Sequence, residues 1–185
     1  PRNSGSEATM YWKSRPELDA PDLLFCQVEF PVPSERTAAR GVPAHGWTMF
    51  AGLAHPTSRG RLRLRSADPL AAPVVDANFL SDPADVATAR ACIELCRALG
   101  NARAFRPFVR GEVMPGELKD EALDLYVRDA AVTYWHQSCT AKMGRDEMSV
   151  VDASLRVYGV DGLRVADASI MPRVTTGGPA AAVWP

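Results

Sequence analysis

Apolar residues along this chain gather into a few runs with two different periods, and the periods predict its elements. Leu23-Leu24-Phe25-Cys26-Gln27-Val28-Glu29-Phe30 is short, rich in apolar and aromatic side chains, and bounded by Pro-Asp before and Pro-Val-Pro after. Such a run predicts a strand with one well-buried face. Trp47-Thr48-Met49-Phe50-Ala51-Gly52-Leu53 predicts a second strand. Between them, Ser34 to His45 mixes charge, Gly and Pro and reads as a loop crossing the sheet. After the turn cluster His55-Pro56-Thr57-Ser58-Arg59-Gly60, the run Arg61-Leu62-Arg63-Leu64-Arg65 alternates with a period of two, the mark of a strand with one wet face.

The period then lengthens. Ser81 or Asp82 followed by Pro83 starts a helix and Gly100-Asn101 stops it, which predicts a helix from Pro83 to Leu99. Val86, Ala89, Ile93, Leu95 and Cys96 mark its buried side. A second helix is predicted over Leu118 to Ala131, with Glu117, Asp120 and Glu121 at the end where the helix dipole favours negative charge. Leu123, Tyr126 and Val127 form its inner face. Leu163-Arg164-Val165-Ala166-Asp167 reads as a short buried strand ending on an acid. The stretch Pro1 to Ala20 is polar and irregular, opens on neither a methionine nor a domain-starting feature, and reads as the interior of a longer protein.

Composition narrows the classes. The 185 residues suit one domain, or one domain plus a fragment of a second, and 46% hydrophobic with 23% charged is ordinary globular usage. A net charge of −1 gives no electrostatic reason to expect nucleic acid or an anionic membrane as partner. No apolar run approaches the roughly 20 residues of a membrane helix, and the first residues lack the plan of a signal peptide. Cys26, Cys92, Cys96 and Cys139 do not make a zinc pattern, so no metal site is predicted; Cys92 and Cys96 share one face of a helix, and the four read as buried or neutral thiols of a reducing, cytoplasmic compartment.

The chemistry concentrates in two late segments. Tyr134-Trp135-His136-Gln137-Ser138-Cys139-Thr140-Ala141-Lys142-Met143-Gly144 places a histidine between aromatic residues and a small-residue loop. Gly162-Leu163-Arg164-Val165-Ala166-Asp167-Ala168-Ser169-Ile170-Met171-Pro172 follows. Together they resemble the C-terminal signature of the glucose-methanol-choline family of flavin-dependent alcohol oxidoreductases. That signature runs His-Pro-x-Gly-Thr-Cys-x-Met-Gly, then Val-Val-Asp and onward to Gly-Leu-Arg-Val-x-Asp-Ala-Ser-Ile-Met-Pro. His136, Thr140, Met143, Gly144, Val150-Val151-Asp152, Leu155, Val157, Gly159, Gly162 and the run Leu163 to Pro172 match in register. His55 to Arg65, with Asp68-Pro69, Pro73 to Asp76 and Asn78 to Asp85, is similar to a further run of the same family, so the resemblance covers most of the chain.

The resemblance implies an α+β fold, a mostly antiparallel sheet with helices packed on one face. Residues 1–133 would be the substrate-binding domain, and residues 134–185 the histidine loop with an incomplete C-terminal piece of the FAD-binding domain. It implies His136 as catalytic base beside the flavin, with Asp167 and Ala168 against the ribityl and pyrophosphate region and Trp135 and Gly178 also at the cofactor. The chemistry is consistent. Hydride loss from an alcohol requires its hydroxyl proton to leave, and an imidazole of ordinary pKa, about 6.5, accepts one at neutral pH. From the residues alone, Asp167 equally reads as the cap of the turn Ser169 to Pro172. Gly178 falls where the family carries an Asn or His, so only backbone is offered there, and Gln137, Cys139 and Ala141 replace the usual Pro, Gly and Cys. A Gly-x-Gly-x-x-Gly turn, the family's main grip on its cofactor, occurs nowhere in the sequence.

The sequence therefore predicts the substrate-binding portion of an FAD-dependent enzyme oxidising a small primary alcohol to an aldehyde. It would be inactive alone, hold FAD stably only with a missing N-terminal portion, and be able to form a homo-oligomer. The alternative is a non-enzymatic truncated member that binds a partner, or itself, through the sheet face left uncovered. A hydrolase using Ser138 with His136 is disfavoured: the residues are neighbours in a loop and no nucleophile elbow is present.

Overall fold

A computed structural model of the chain describes residues 5–6 and 8–179; the expectations for residues 1–4 and for the tail beyond 179 lie outside the described residues. The elements in chain order are β1 (Ala8–Trp12), β2 (Leu23–Val28), α1 (Glu35–Ala38), β3 (Thr48–Leu53), β4 (Arg61–Arg63), β5 (Val74–Asp76), α2 (Pro83–Gly100), α3 (Asp120–Ala130) and a 3-10 turn, Ala168–Ile170. The fold is α+β with antiparallel sheets, and it divides into two compact units. The first comprises Pro1–Arg61 with Asp76–Val132, the second Leu62–Val75 with Thr133–Pro185.

In the first unit the strands run antiparallel in the order β1-β2-β3, with Phe25 opposite both Met10 and Ala51 and Cys26 opposite both Thr9 and Phe50. Alternation sends Leu23 and Phe25 to one face, where they meet Cys92, Leu95 and Cys96 of α2. A second cluster joins Leu80, Val86, Ala89 and Val127, with Leu53 and Ile93 packed against it. The helices thus cover one face of the sheet, and α3 packs on α2. The Asp82 side chain caps α2 by accepting from the Ala84 amide at 2.9 Å, Pro83 sits where a missing N–H costs nothing, and Asn101 closes the other end. α3 starts without a side-chain cap; its acids lie toward the dipole, and Arg90 ties it to α2 through Asp124 (2.7 Å) and the Asp120 carbonyl (3.0 Å).

A buried carboxylate fixes the approach to α2. Asp85, 3% exposed, accepts from the Thr57 amide (2.7 Å), the Ser58 amide (2.7 Å) and the Ser58 hydroxyl. Burial pushes this carboxyl up, but the Ser58 hydroxyl and the two amides more than offset it and hold the group below its ordinary value. The clasp folds the 55–60 turn onto the helix start. Gly60 is required beside it, because a Cβ there would lie 2.3 Å from the Asp76 carbonyl oxygen.

The second unit has little regular structure. Isolated bridges join Met143 to Val151, Val151 to Val157 and Arg156 to Arg164, and Val151 is fully buried at their centre.

Several expectations require correction. The polar stretch 1–20 contains β1, whose Thr9, Tyr11 and Trp12 suit an edge strand once β2 offers a partner. The 34–45 loop contains α1, and Val74–Asp76 forms a strand that the pattern did not single out. The alternating run gives a strand only over Arg61–Arg63, and its leucines face water on the described chain, Leu64 being 86% exposed. Cys92, not predicted on the inner side of α2, is its most buried residue. Leu163 to Asp167 is neither a strand nor buried: Leu163 is 49% exposed, and the left-handed backbone of Leu155 (φ 66°) turns the facing segment away after one bridge. No helix among the described residues is long and apolar enough to cross a membrane.

Candidate active site

The histidine loop is fastened to the turn that follows Asp167 by alternate backbone bonds. Cys139 N–H donates to the Ala168 carbonyl (3.2 Å), Ala141 N–H to Ser169 (2.9 Å) and Met143 N–H to Ile170 (2.7 Å). The three acceptors are the successive carbonyls of the 3-10 turn, and the Ala168 carbonyl also takes the Met171 amide (3.3 Å). Small side chains at Ser138, Cys139, Thr140 and Ala141 suit the close approach. The register continues through Val150 N–H to Lys142 O (2.9 Å) and Gly144 N–H to Val151 O (3.2 Å), and the Tyr158 hydroxyl donates to the Gly144 carbonyl (2.9 Å).

His136 lies at the upstream end of the strap. The Tyr134 ring meets its imidazole edge-on, with centroids 5.5 Å apart at 64°. Gly178 also adjoins it: a Cβ there would come within 3.4 Å of His136 Nε2 and within 3.8 Å of Cε1. Nε2 itself has no hydrogen-bond partner among the described residues. The backbone on either side of the histidine is held in a costly form: Trp135 has φ 57° and Cys139 φ 70°, left-handed values that side chains other than glycine avoid at about 1–3 kcal/mol each. Surrounding bonds sustain it. The Thr133 hydroxyl oxygen accepts from the Trp135 amide (3.1 Å) and from Gln137 Nε2 (3.4 Å), and the strap anchors Cys139. The Trp135 side chain stands 66% exposed.

Asp167 caps the 3-10 turn, its Oδ1 accepting from the Ser169 amide at 2.8 Å. The Ser169 hydroxyl and amide hold this carboxylate below its ordinary value. The capping role read from the sequence is therefore present. The Ala168 amide finds no acceptor among the described residues, so a carboxylate and a donor stand together beside the strap. This donor set suits the hydroxyls and phosphates of a nucleotide linker, and the gap at Gly178 is one that a side chain would close. The residues present thus fit one edge of a flavin nucleotide.

The second unit contains all the predicted site residues, with Trp135 and Gly178 beside His136 and Asp167 and Ala168 joined to the same loop through the strap. Thr133 was not singled out from the sequence, although a hydroxyl two residues before a bend is a recognisable turn former. The Ser138 hydroxyl lies 3.5 Å from Cys139 Sγ.

Comparison with known proteins places the chain in a family. A family profile described as GMC oxidoreductase matches residues 56–184. The oxygen-dependent choline dehydrogenase of Pseudomonas fluorescens (strain SBW25) is 41% identical over 173 residues, covering 92% of this chain and 30% of that protein. The protein of the same description from Acinetobacter baumannii (strain AYE) is 39% identical over 92% of this chain and 31% of its own. Among solved structures, pyridoxine 4-oxidase from Mesorbium loti superposes with a TM-score of 0.86 at 30% identity, over 97% of this chain and 36% of that one. An FAD-dependent oxidoreductase from Chaetomium thermophilum gives a TM-score of 0.73 at 29% identity, over 90% and 26%. The chain belongs to the GMC oxidoreductase family, whose members bind FAD. It spans 30% of the length of the curated relative with which it shares 41% identity.

Proposed function

We propose that this chain is the C-terminal, substrate-binding portion of an FAD-dependent alcohol dehydrogenase or oxidase that converts a small primary alcohol to an aldehyde. The observation that carries the reading is the unpartnered Nε2 of His136, held by Tyr134 at its edge and open toward Gly178. FAD, when bound, supplies the hydride acceptor. His136 Nε2 accepts the substrate hydroxyl as a hydrogen bond and then takes its proton as the carbinol hydrogen leaves. Gly178 leaves room for the carbinol group, and the Asp167 carboxylate with the Ala168 amide would hold the polar linker of the cofactor, with Trp135 also contributing to its site. Residues 1–133 form the substrate-binding domain and residues 134–185 contribute to the FAD-binding one. The cofactor's principal grip belongs to a separate N-terminal portion, so the chain by itself neither retains FAD nor oxidises alcohols. Four unbridged cysteines fit a cytoplasmic setting.

The test is a visible absorption spectrum of the purified chain after incubation with FAD and removal of the unbound cofactor, followed by the same measurement on a longer protein that adds the N-terminal portion. A folded, colourless chain and a yellow longer protein are expected. In the longer protein His136→Asn should lower kcat by about 10²–10⁴-fold with flavin content unchanged. A flavin retained stoichiometrically by the chain alone, or a His136→Asn enzyme of unaltered kcat, would overturn the reading.

A further inference from the structure

The imidazole of His136 is not anchored through its own polar atoms. Neither ring nitrogen has a hydrogen-bond partner among the described residues, and the edge-on Tyr134 ring limits its tilt without fixing its place. A side chain held this loosely goes where its backbone carries it. That backbone is in a sparsely populated form, with Trp135 at φ 57°, and such a form persists only where its surroundings over-determine it. The residues on both sides of the histidine are tied to one oxygen: Thr133 Oγ1 accepts from the Trp135 amide at 3.1 Å and from Gln137 Nε2 at 3.4 Å. A hydroxyl oxygen has two lone pairs, so these donors fill it. All of these residues belong to the second unit. In the family signature a proline follows the histidine, and a proline stiffens the chain by fixing its own φ. Gln137 stands at that position here and reaches back to Thr133 instead.

We propose that Thr133 and Gln137 are positioning residues for the alcohol oxidation, their shared bracket holding the His136 imidazole where Nε2 meets the substrate hydroxyl. The inference rests on His136 being the base, as proposed above. Neither residue takes part in bond making; each acts through the backbone that carries the histidine. Proton transfer requires the hydroxyl oxygen within about 2.6–3.2 Å of Nε2. Without the Thr133 oxygen the Trp135 amide loses its acceptor, nothing repays the left-handed backbone, and its relaxation carries the imidazole away. A displacement of about 1 Å is enough to cost about 10²-fold in rate.

Thr133→Val keeps the branched shape and removes the acceptor, whereas Thr133→Ser keeps the hydroxyl, and the pair is compared in two settings. In the chain itself, the Trp135 α- and β-carbon shifts in NMR spectra report whether its φ is positive. They should leave the left-handed range in Thr133→Val and stay within it in Thr133→Ser. In the longer protein that adds the N-terminal portion, Thr133→Val should lower kcat by about 10–10²-fold with KM and flavin content unchanged. Thr133→Ser should recover most of that loss, and Gln137→Leu, which removes one of the two donors, should lower kcat by about 2–10-fold. Left-handed Trp135 shifts retained in Thr133→Val would overturn the bracket. A wild-type kcat in Thr133→Val, in an enzyme that His136→Asn disables, would overturn the positioning role and leave the base in place. A kcat lost in Thr133→Val and equally in Thr133→Ser would overturn the part given to the hydroxyl. If His136→Asn itself keeps the wild-type kcat, the reading of the base fails and the positioning role fails with it.

Discussion

Removing the Asp85 carboxylate gives the sharpest test of how the first unit is held. The group is buried and accepts two backbone N–H groups and one hydroxyl, all from Thr57 and Ser58. Truncation by Asp85→Ala orphans both amides; at about 1–3 kcal/mol for each buried donor left unpaired, the loss is about 2–6 kcal/mol. Asp85→Asn keeps one oxygen as acceptor but turns an NH2 toward a donor, so about half that loss is expected. For a chain of this size each kcal/mol lowers Tm by about 2–4 °C, a shift that calorimetry resolves. Hydrogen exchange at the Thr57 and Ser58 amides reads the same event locally. The pH dependence has a definite sign. The folded carboxyl lies below its ordinary value, so its contribution is complete above the unfolded-state pKa of about 3.9 and is lost as pH falls through the lower folded value. Wild-type and Asp85→Asn stability curves should therefore converge on acidification in that window. Curves that stay parallel down to about pH 2, or amide exchange unchanged in the variant, would refute the clasp.

Three further outcomes are expected. Leu123→Ala, at a fully buried site against α2, should cost about 2–5 kcal/mol in denaturant unfolding. Cys92 should resist a thiol reagent until the chain unfolds, because its contact with Cys96 and its burial both push the thiol up, whereas the half-buried Cys139 should label in the native state. Gly178→Val should displace the His136 ring resonances in NMR spectra, since even the Cβ approaches Nε2 to 3.4 Å, while the melting of the first unit stays unaltered.

Local signals carried far in this chain where neighbouring residues decide the outcome. Asp82-Pro83 and Gly100-Asn101 bound α2 within a residue of the prediction because caps act within one turn. The family signature brought His136 and the Asp167-Ala168 turn forward, and the strap joins them. What escaped was non-local. β1 is polar enough to pass for a loop and becomes a strand only against β2. Leu163 to Asp167 has strand composition but lacks a continuous partner. Asp85 looked like one of several acids near a helix start; its role rests on a turn 27 residues earlier in the sequence, to which no local pattern points.

The interleaving of the two units also sets an order of events during synthesis. Leu62–Val75 belongs to the second unit, yet Asp76–Val132 of the first unit must be made before its companion segment, from Thr133 onward, exists. At about 5–20 residues per second the Leu62–Val75 segment waits roughly 3–12 seconds for its partner. Throughout that interval Leu62–Val75 has no companion segment from its own unit. The first unit is likewise complete only once residue 132 has been made, so slow translation of residues 76–132 delays both units. Codon choice across that span should therefore set how long both units stay incomplete during synthesis.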